Sequence, residues 1–267
     1  METLAGVNLA FFAISNPGCS ILGVIIKQVL TLATMFLLID KPKGITSHDV
    51  VDKVREIVGE NPPKNTYSGG QVKVGHAGTL DPNATGLLIV GVGRDSTKKL
   101  SLITKDKKTY EAEVYFGEER DTDDDEGMLI SKATGVLAPS KEEIDLTLSN
   151  FIGTQEQIPP PYSAIKLKGR KAYELARKGK VVKLKPRKIT VYSIKALSYS
   201  YPTLEIETIV SSGTYIRALA RDIGKRLGMG AYLKNLRRTK IGNYDIKNAV
   251  ALDELSKHNW RKSVLEL

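Results

Sequence analysis

The sequence predicts an α+β protein, with a mixed, largely antiparallel sheet and flanking helices. Three observations point there. Strand-like stretches outnumber helical ones, and the two kinds are intermixed with no regular βα repeat. The run Thr109–Phe116 also alternates apolar and polar residues, as a strand with one covered face does.

Taken in order, Met35–Ile39 is a short apolar strand, and Asp40–Gly44 is a turn punctuated by Pro42 and Gly44. Ser47 is the expected N-cap of a helix through Val58, with Val50, Val51, Val54, Ile57 and Val58 on one face. Asn61–Gly70 is a polar loop, and Leu87–Val92 suits a fully buried strand. In Thr109–Phe116, Tyr110, Ala112, Val114 and Phe116 face one side while Glu111 and Glu113 face the other. Ser140 with Glu143 forms a capping box ahead of Ile144, Leu148 and Phe151. Ala172–Lys178 is a short helix stopped by Gly179. Ile189–Ala196 and Leu204–Val210 are strands, and Tyr215–Leu227 is a helix with Ile216, Leu219, Ala220 and Ile223 inward.

Residues 1–34 differ in kind, with one acidic residue, Glu2, and one basic residue, Lys27. Ile21–Ile39 approaches the length of a membrane span, but Lys27 and Gln28 interrupt it. A signal peptide would need a basic start, which is lacking. The expected organisation is a non-native or disordered apolar extension over 1–34 and a globular domain over 35–267. A weak membrane anchor is the lesser reading.

The chain has 267 residues and a formal charge of +10. Lys166 to Lys188 holds eleven Lys and Arg against the single Glu174, which accounts for the whole excess. A phosphate-binding surface requires such concentration, and the neighbouring Tyr162 and Tyr173 could stack on bases. Cys19 is the one cysteine, so an internal disulfide and a cysteine zinc site are excluded. His48, His76 and His258 lack metal-ligand spacing. No metal or cofactor is expected, and the compartment expected is intracellular. Gly91–Arg94 lacks the glycine spacing of a nucleotide loop. Asp121–Gly127 mimics a calcium loop, but its glycine falls one position late and Lys132 stands where the closing Glu belongs. It is expected to be a solvated acidic turn.

The stretch Gly75–Gly86 packs small residues and glycines around one carboxylate, Asp81, whose backbone Pro82 pushes to an extended form. On spacing alone, Asp81 reads as a structural residue in a turn. Gly75-His76-Ala77-Gly78-Thr79-Leu80-Asp81-Pro82, however, resembles the signature of the TruB family, the synthases that make pseudouridine at position 55 of the tRNA T-loop. Five further segments resemble family motifs in family order. They are Leu38–Asp49, Lys108-Thr109-Tyr110, Pro160–Lys166 with Gly169 and Tyr173–Gly179, Ser212–Arg217, and Leu236–Thr239 with Gly242. Together they cover nearly all of 35–247.

The resemblance implies a pseudouridine synthase fold and a base-flipping isomerase acting on the tRNA T-arm without a cofactor. Asp81 resembles the catalytic aspartate, and both attack at C1′ and removal of the C2′ proton stay open for it. Arg217 resembles its partner, and a bidentate ion pair would hold the carboxylate ionised and oriented. Tyr110 resembles the residue stacked on the flipped base, where it also serves C5 proton movement. Tyr215 and Leu236 resemble pocket residues, and His76 resembles a histidine stacked within the opened T-loop. Lys166, Lys168 and Arg170 belong to the matching RNA-gripping segment, about 158–188. Two departures are a long 61–70 loop and Arg120-Asp121 where the family often has Thr-Asp. After Val250, 17 residues remain, too few for a C-terminal PUA domain. A cytoplasmic monomer without protein or membrane partners is expected. The rival reading is a non-catalytic RNA-binding or tRNA-folding chaperone on the same scaffold.

Overall fold

Along Lys108–Phe116, Tyr110, Ala112, Val114 and Phe116 are buried while Glu111 is exposed. That is the alternation of a pleated strand with one covered face. The computed structural model describes residues 34–59, 67–68, 71–167, 169–179 and 182–266, and it places this strand inside an eleven-stranded sheet. The expected extension through residue 33, most of the 61–70 loop, and Lys168 lie outside the described residues.

The elements run β1 (Met35–Lys41), α1 (Ser47–Gly59), β2 (Tyr67–Ser68), β3 (Gln71–Val72), β4 (Val74–Ala77), β5 (Thr85–Val92), α2 (Arg94–Ile103), β6 (Lys108–Phe116), β7 (Glu118–Arg120) and β8 (Leu129–Lys132). There follow α3 (Lys141–Ser149), β9 (Gly153–Gln157), β10 (Lys166–Leu167), β11 (Arg170–Lys171), α4 (Ala172–Ala176), β12 (Arg187–Ser200), β13 (Thr203–Val210), α5 (Ile216–Arg226), β14 (Ala231–Ile241), β15 (Tyr244–Asp245), β16 (Val250–Ala251) and β17 (Val264–Glu266). The main sheet has the order β16-β1-β5-β14-β6-β13-β12-β9, with β4, β15 and β17 paired beside it. The β1–β16 and β5–β14 pairs are parallel, and the other pairs of this sheet are antiparallel. The mixed, largely antiparallel α+β architecture is therefore present.

Three apolar clusters hold the layers together. The largest joins β6, β12, β13 and β14 to the inner faces of α3 and α5, through residues such as Ile144, Val114, Leu219 and Ile223. Each fully buried aliphatic side chain of this kind contributes about 1.5–3 kcal/mol. A second cluster packs α1 and Trp260 on β1 and β5, and a third packs Leu100 and Ile103 of α2 on the opposite face of those strands.

Several boundaries differ from the sequence reading. Asp40 and Lys41 continue β1 rather than opening the turn. The cap of α1 is Thr46. Its Oγ1 accepts from the Asp49 N–H at 3.1 Å, and its N–H donates to Asp49 Oδ2 at 2.7 Å, so Ser47 is freed for another task. Helix α4 ends at Ala176, and a turn carries the chain to Gly179 at φ +68°. The capping box at Ser140 and Glu143 is present. Strand β14 carries Lys234, Asn235, Arg237, Arg238 and Lys240, and this charge hid it from periodicity. Cross-strand partners absorb the charge: Lys234 pairs with Glu113 at 2.8 Å and Arg237 with Asp40 at 2.7 Å.

The parallel junction of β5 and β14 sets Gly86 opposite Arg238. Gly86 has φ +103°, and a Cβ there would collide with the Arg238 backbone. Gly86→Ala is therefore expected to destabilise the fold by about 3 kcal/mol or more. Urea unfolding of both proteins checks this, and an unchanged midpoint would contradict the proposed close approach.

Candidate active site

Asp81 lies in the loop between β4 and β5, where the Ala84 N–H donates to its carbonyl at 3.1 Å. Buried groups from the first motif hold this loop on both sides. Ser47 Oγ accepts from the Leu80 N–H at 2.8 Å and donates to the Leu80 carbonyl at 3.0 Å. The ammonium of Lys41, a fully buried residue, donates to the carbonyls of Pro42, Ile45 and Pro82 at 2.9, 2.7 and 3.1 Å. Three acceptors satisfy its three protons, without which burial of the charge would be prohibitive. Burial still pushes the Lys41 pKa down to about 8, against the pull of Asp81 and Asp49. The Asp81 side chain itself stays 44% exposed and open to a ligand.

Arg217 comes from the first turn of α5. Tyr215 precedes that helix, and Gln157 brackets its backbone by accepting from the Tyr215 N–H at 2.9 Å and donating to its carbonyl at 3.1 Å. The Arg217 side chain is only 7% exposed, and its Nε stands 2.9 Å from Asp81 Oδ2. This contact lacks hydrogen-bond geometry, and the bidentate pair expected from the sequence is not formed. The physical reason is that both terminal nitrogens are committed elsewhere. Nη1 donates to the Thr122 carbonyl at 3.0 Å and lies 3.2 Å from Asp124 Oδ2, while Nη2 donates to the Tyr162 carbonyl at 3.0 Å. Burial, reinforced by the Asp81 charge, holds the Asp124 carboxyl above its ordinary range, although Thr122 and Arg217 oppose this.

The acidic turn is thus only partly solvated, with Asp125 and Glu126 exposed. Asp123 is buried, and Asp124 is an electrostatic partner of the site. A buried arginine beside Asp81 needs further acceptors, and the turn supplies them.

These groups line a cleft of about 890 Å³ together with Tyr110, Tyr215 and Leu236. Tyr110 is buried on β6, in register with Arg238 on β14 and Thr208 on β13. Tyr162, Tyr173 and Arg177 form part of the wall, with the Arg177 guanidinium 5.6 Å from the Tyr173 ring centre. Two buried cations face the same cleft. Lys108 donates to the carbonyls of Thr104 and Asp106 at 2.8 and 2.7 Å. Arg238 donates to those of Leu87 and Gly78 at 2.8 and 3.0 Å. Burial and the Arg238 charge push the Lys108 pKa down to about 8. The cleft can therefore take a flat polar ring beside an anionic backbone.

Seven residues singled out from sequence meet in this cleft: Asp81, Tyr110, Tyr162, Tyr173, Tyr215, Arg217 and Leu236. His76 does not line it. It sits half-buried on β4, where burial and then Arg238 hold its pKa below the ordinary value. Lys166 and Arg170 are exposed on the β10–β11 hairpin and do not line the cleft. Sequence reasoning missed Thr122, Asp124, Lys108 and Arg238 as site residues. Arg177 was also missed, although its four-residue spacing from Tyr173 was a readable signal.

Residues 64–216 match the family model described as TruB family pseudouridylate synthase (N terminal domain). Residues 217–266 match the tRNA pseudouridylate synthase B C-terminal domain. The tRNA pseudouridine synthase B of Aquifex aeolicus is 47% identical over 232 residues, covering 86% of this chain and 76% of the relative. That of Desulfotalea psychrophila is 45% identical over 240 residues, covering 86% of this chain and 92% of the relative. A solved Cbf5–Nop10–Gar1 complex aligns with a TM-score of 0.65 at 25% identity, over 89% of this chain and 61% of that one.

Burial pushes the Asp123 carboxyl up from 3.8 to about 6, although Arg221 and Arg217 pull it down. Folded Asp123 therefore keeps its proton where the unfolded chain has released it. The stability it contributes is complete below the unfolded pKa and is lost as pH rises from about 4 through 6. Asp123→Asn removes this titration. Unfolding midpoints measured between pH 4 and 7 should then shift in favour of the variant, relative to wild type, as pH rises. A pH-independent difference would contradict the assignment.

Proposed function

We infer the roles of the cleft residues from one premise: the chain belongs to the TruB family of pseudouridylate synthases. It isomerises uridine to pseudouridine in tRNA. The enzymatic reading, rather than a non-catalytic RNA chaperone, is the one the family match supports.

The substrate position we assign is uridine 55 in the T-loop. That nucleotide is buried in the tRNA elbow, and extruding it costs a few kcal/mol of stacking and pairing. Phosphate contacts from the basic segment about 158–188 offset the cost. Lys166, Lys168 and Arg170 are assigned to these contacts, and His76 to the opened T-loop outside the cleft wall. The flipped uracil rests against Tyr110, with Tyr215 and Leu236 as walls.

Asp81 is the catalytic carboxylate. The C1′–N1 bond breaks, the base turns, and C5 joins C1′. C5 loses its proton and N1 ends protonated, so the reaction needs no oxidant, reductant or cofactor. Cleavage leaves C1′ electron-poor, which a carboxylate answers either by bonding to C1′ or by taking the C2′ proton. The observation that carries this reading is the half-exposed Asp81 carboxylate, held 2.9 Å from a buried Arg217 that faces the same cleft as Tyr110. The domain over 35–267 acts as a cytoplasmic monomer in this proposal. Among the described residues, no helix is long and apolar enough to cross a membrane.

Tritium release from tRNA labelled at uridine C5 tests the assignment. Wild type should release tritium, and Asp81→Asn should be slower by on the order of 10³-fold or more. Equal rates would overturn the role given to Asp81.

A further inference from the structure

Arg217 and Arg221 stand four residues apart on α5, so they project from the same face one turn from each other. They hold the same two chain segments. Arg217 binds the acidic turn at Thr122 and Asp124 and the gripping segment at the Tyr162 carbonyl. Arg221 binds the same turn at Asp123 Oδ2, 2.7 Å away, and the root of the segment at the Ile158 carbonyl, 2.9 Å away. Its Nε donates to Asp222 Oδ1 at 3.0 Å. Arg221 lies outside every motif identified in the sequence, and the cleft lining does not include it.

We propose that Arg221 is a positioning residue for the reaction. It fastens the acidic turn and the root of the gripping segment to the helix that carries Arg217, and so sets where Arg217 meets Asp81. The inference rests on the roles assigned above to Asp81 and Arg217.

The turn needs such a fastening. Asp123 has φ +60°, a conformation costly for a non-glycine residue that persists only where its surroundings enforce it. Its carbonyl accepts from the Leu233 N–H at 3.0 Å, which ties the backbone to β14. Its carboxylate is only 10% exposed and pairs with Arg221. Removing Arg221 would take away the guanidinium that fastens this carboxyl to α5. The adjacent Thr122 carbonyl and Asp124 carboxylate would then shift, and with them the partners that hold Arg217. A displacement of about 1 Å at reacting groups costs on the order of 10²-fold in rate.

The test uses the full chain and an unmodified tRNA transcript, with single-turnover rate, tRNA affinity and melting temperature measured together. In Arg221→Met, the single-turnover rate should fall by on the order of 10²-fold while tRNA affinity stays within about twofold. Arg221→Lys should recover part of the rate, because an ammonium can reach Asp123 without also holding Ile158. Asp123→Asn should slow the reaction, and combining it with Arg221→Met should add little further loss. A lower melting temperature with a wild-type rate in folded Arg221→Met would overturn the proposal, as would a loss confined to affinity. If Arg221→Met does not fold, wild-type rates in both Arg221→Lys and Asp123→Asn overturn it. Asp81→Asn serves as the control. Wild-type activity there refutes the catalytic assignment, whereas an inactive Asp81→Asn beside a fast Arg221→Met refutes this inference alone.

Discussion

A guanidinium with 7% of its surface exposed, placed 2.9 Å from the Asp81 carboxylate, is the constraint around which the rest of the site is arranged. Burying the charge removes it from water, and a single half-exposed carboxylate does not replace that hydration. The two backbone carbonyls and the second carboxylate around Arg217 make up the difference. Because those acceptors lie on the acidic turn and at Tyr162, the proposed catalytic and RNA-binding geometries are tied to one side chain. A change in the backbone at Tyr162 is thus felt at Asp81 through one residue.

The same device recurs beneath the site. Lys41, Lys108 and Arg238 are buried cations that grip backbone carbonyls. Lys41 and Ser47 hold the Asp81 loop from the β1–α1 side, at Pro82 and Leu80. Arg238 holds it from β14, at Gly78. A loop rich in glycine and small residues is conformationally permissive, so its shape has to be imposed by neighbours. That explains why motifs distant in sequence are needed to present one aspartate.

Alternation made β6 legible, an apolar run revealed β5, and the Ser140–Glu143 pair marked the start of α3. These are local signals. Strand β14 was hidden because its charges are satisfied across the sheet by Glu113 and Asp40, which no local pattern announces. The same holds for Asp123 and Asp124. In sequence they belong to an acidic run, and only packing against α5 shows Asp123 buried and both as partners of arginines. Tyr110, Arg217 and Leu236 were assigned through motif resemblance, and the cleft brings them together with Asp81. The basic segment was visible from charge alone, but the division between Arg177, at the cleft, and Lys166 and Arg170, on the exposed hairpin, depends on tertiary structure.

The most direct measurement is a crystal structure of the full chain bound to a T-stem-loop RNA carrying 5-fluorouridine at the target position. The pyrimidine ring is expected inside the cleft against Tyr110, with C1′ of that nucleotide within about 3.5 Å of an Asp81 carboxylate oxygen. Arg217 should remain between Asp81 and Asp124. A target base stacked outside the cleft, or a C1′ that Asp81 cannot reach, would contradict this expectation.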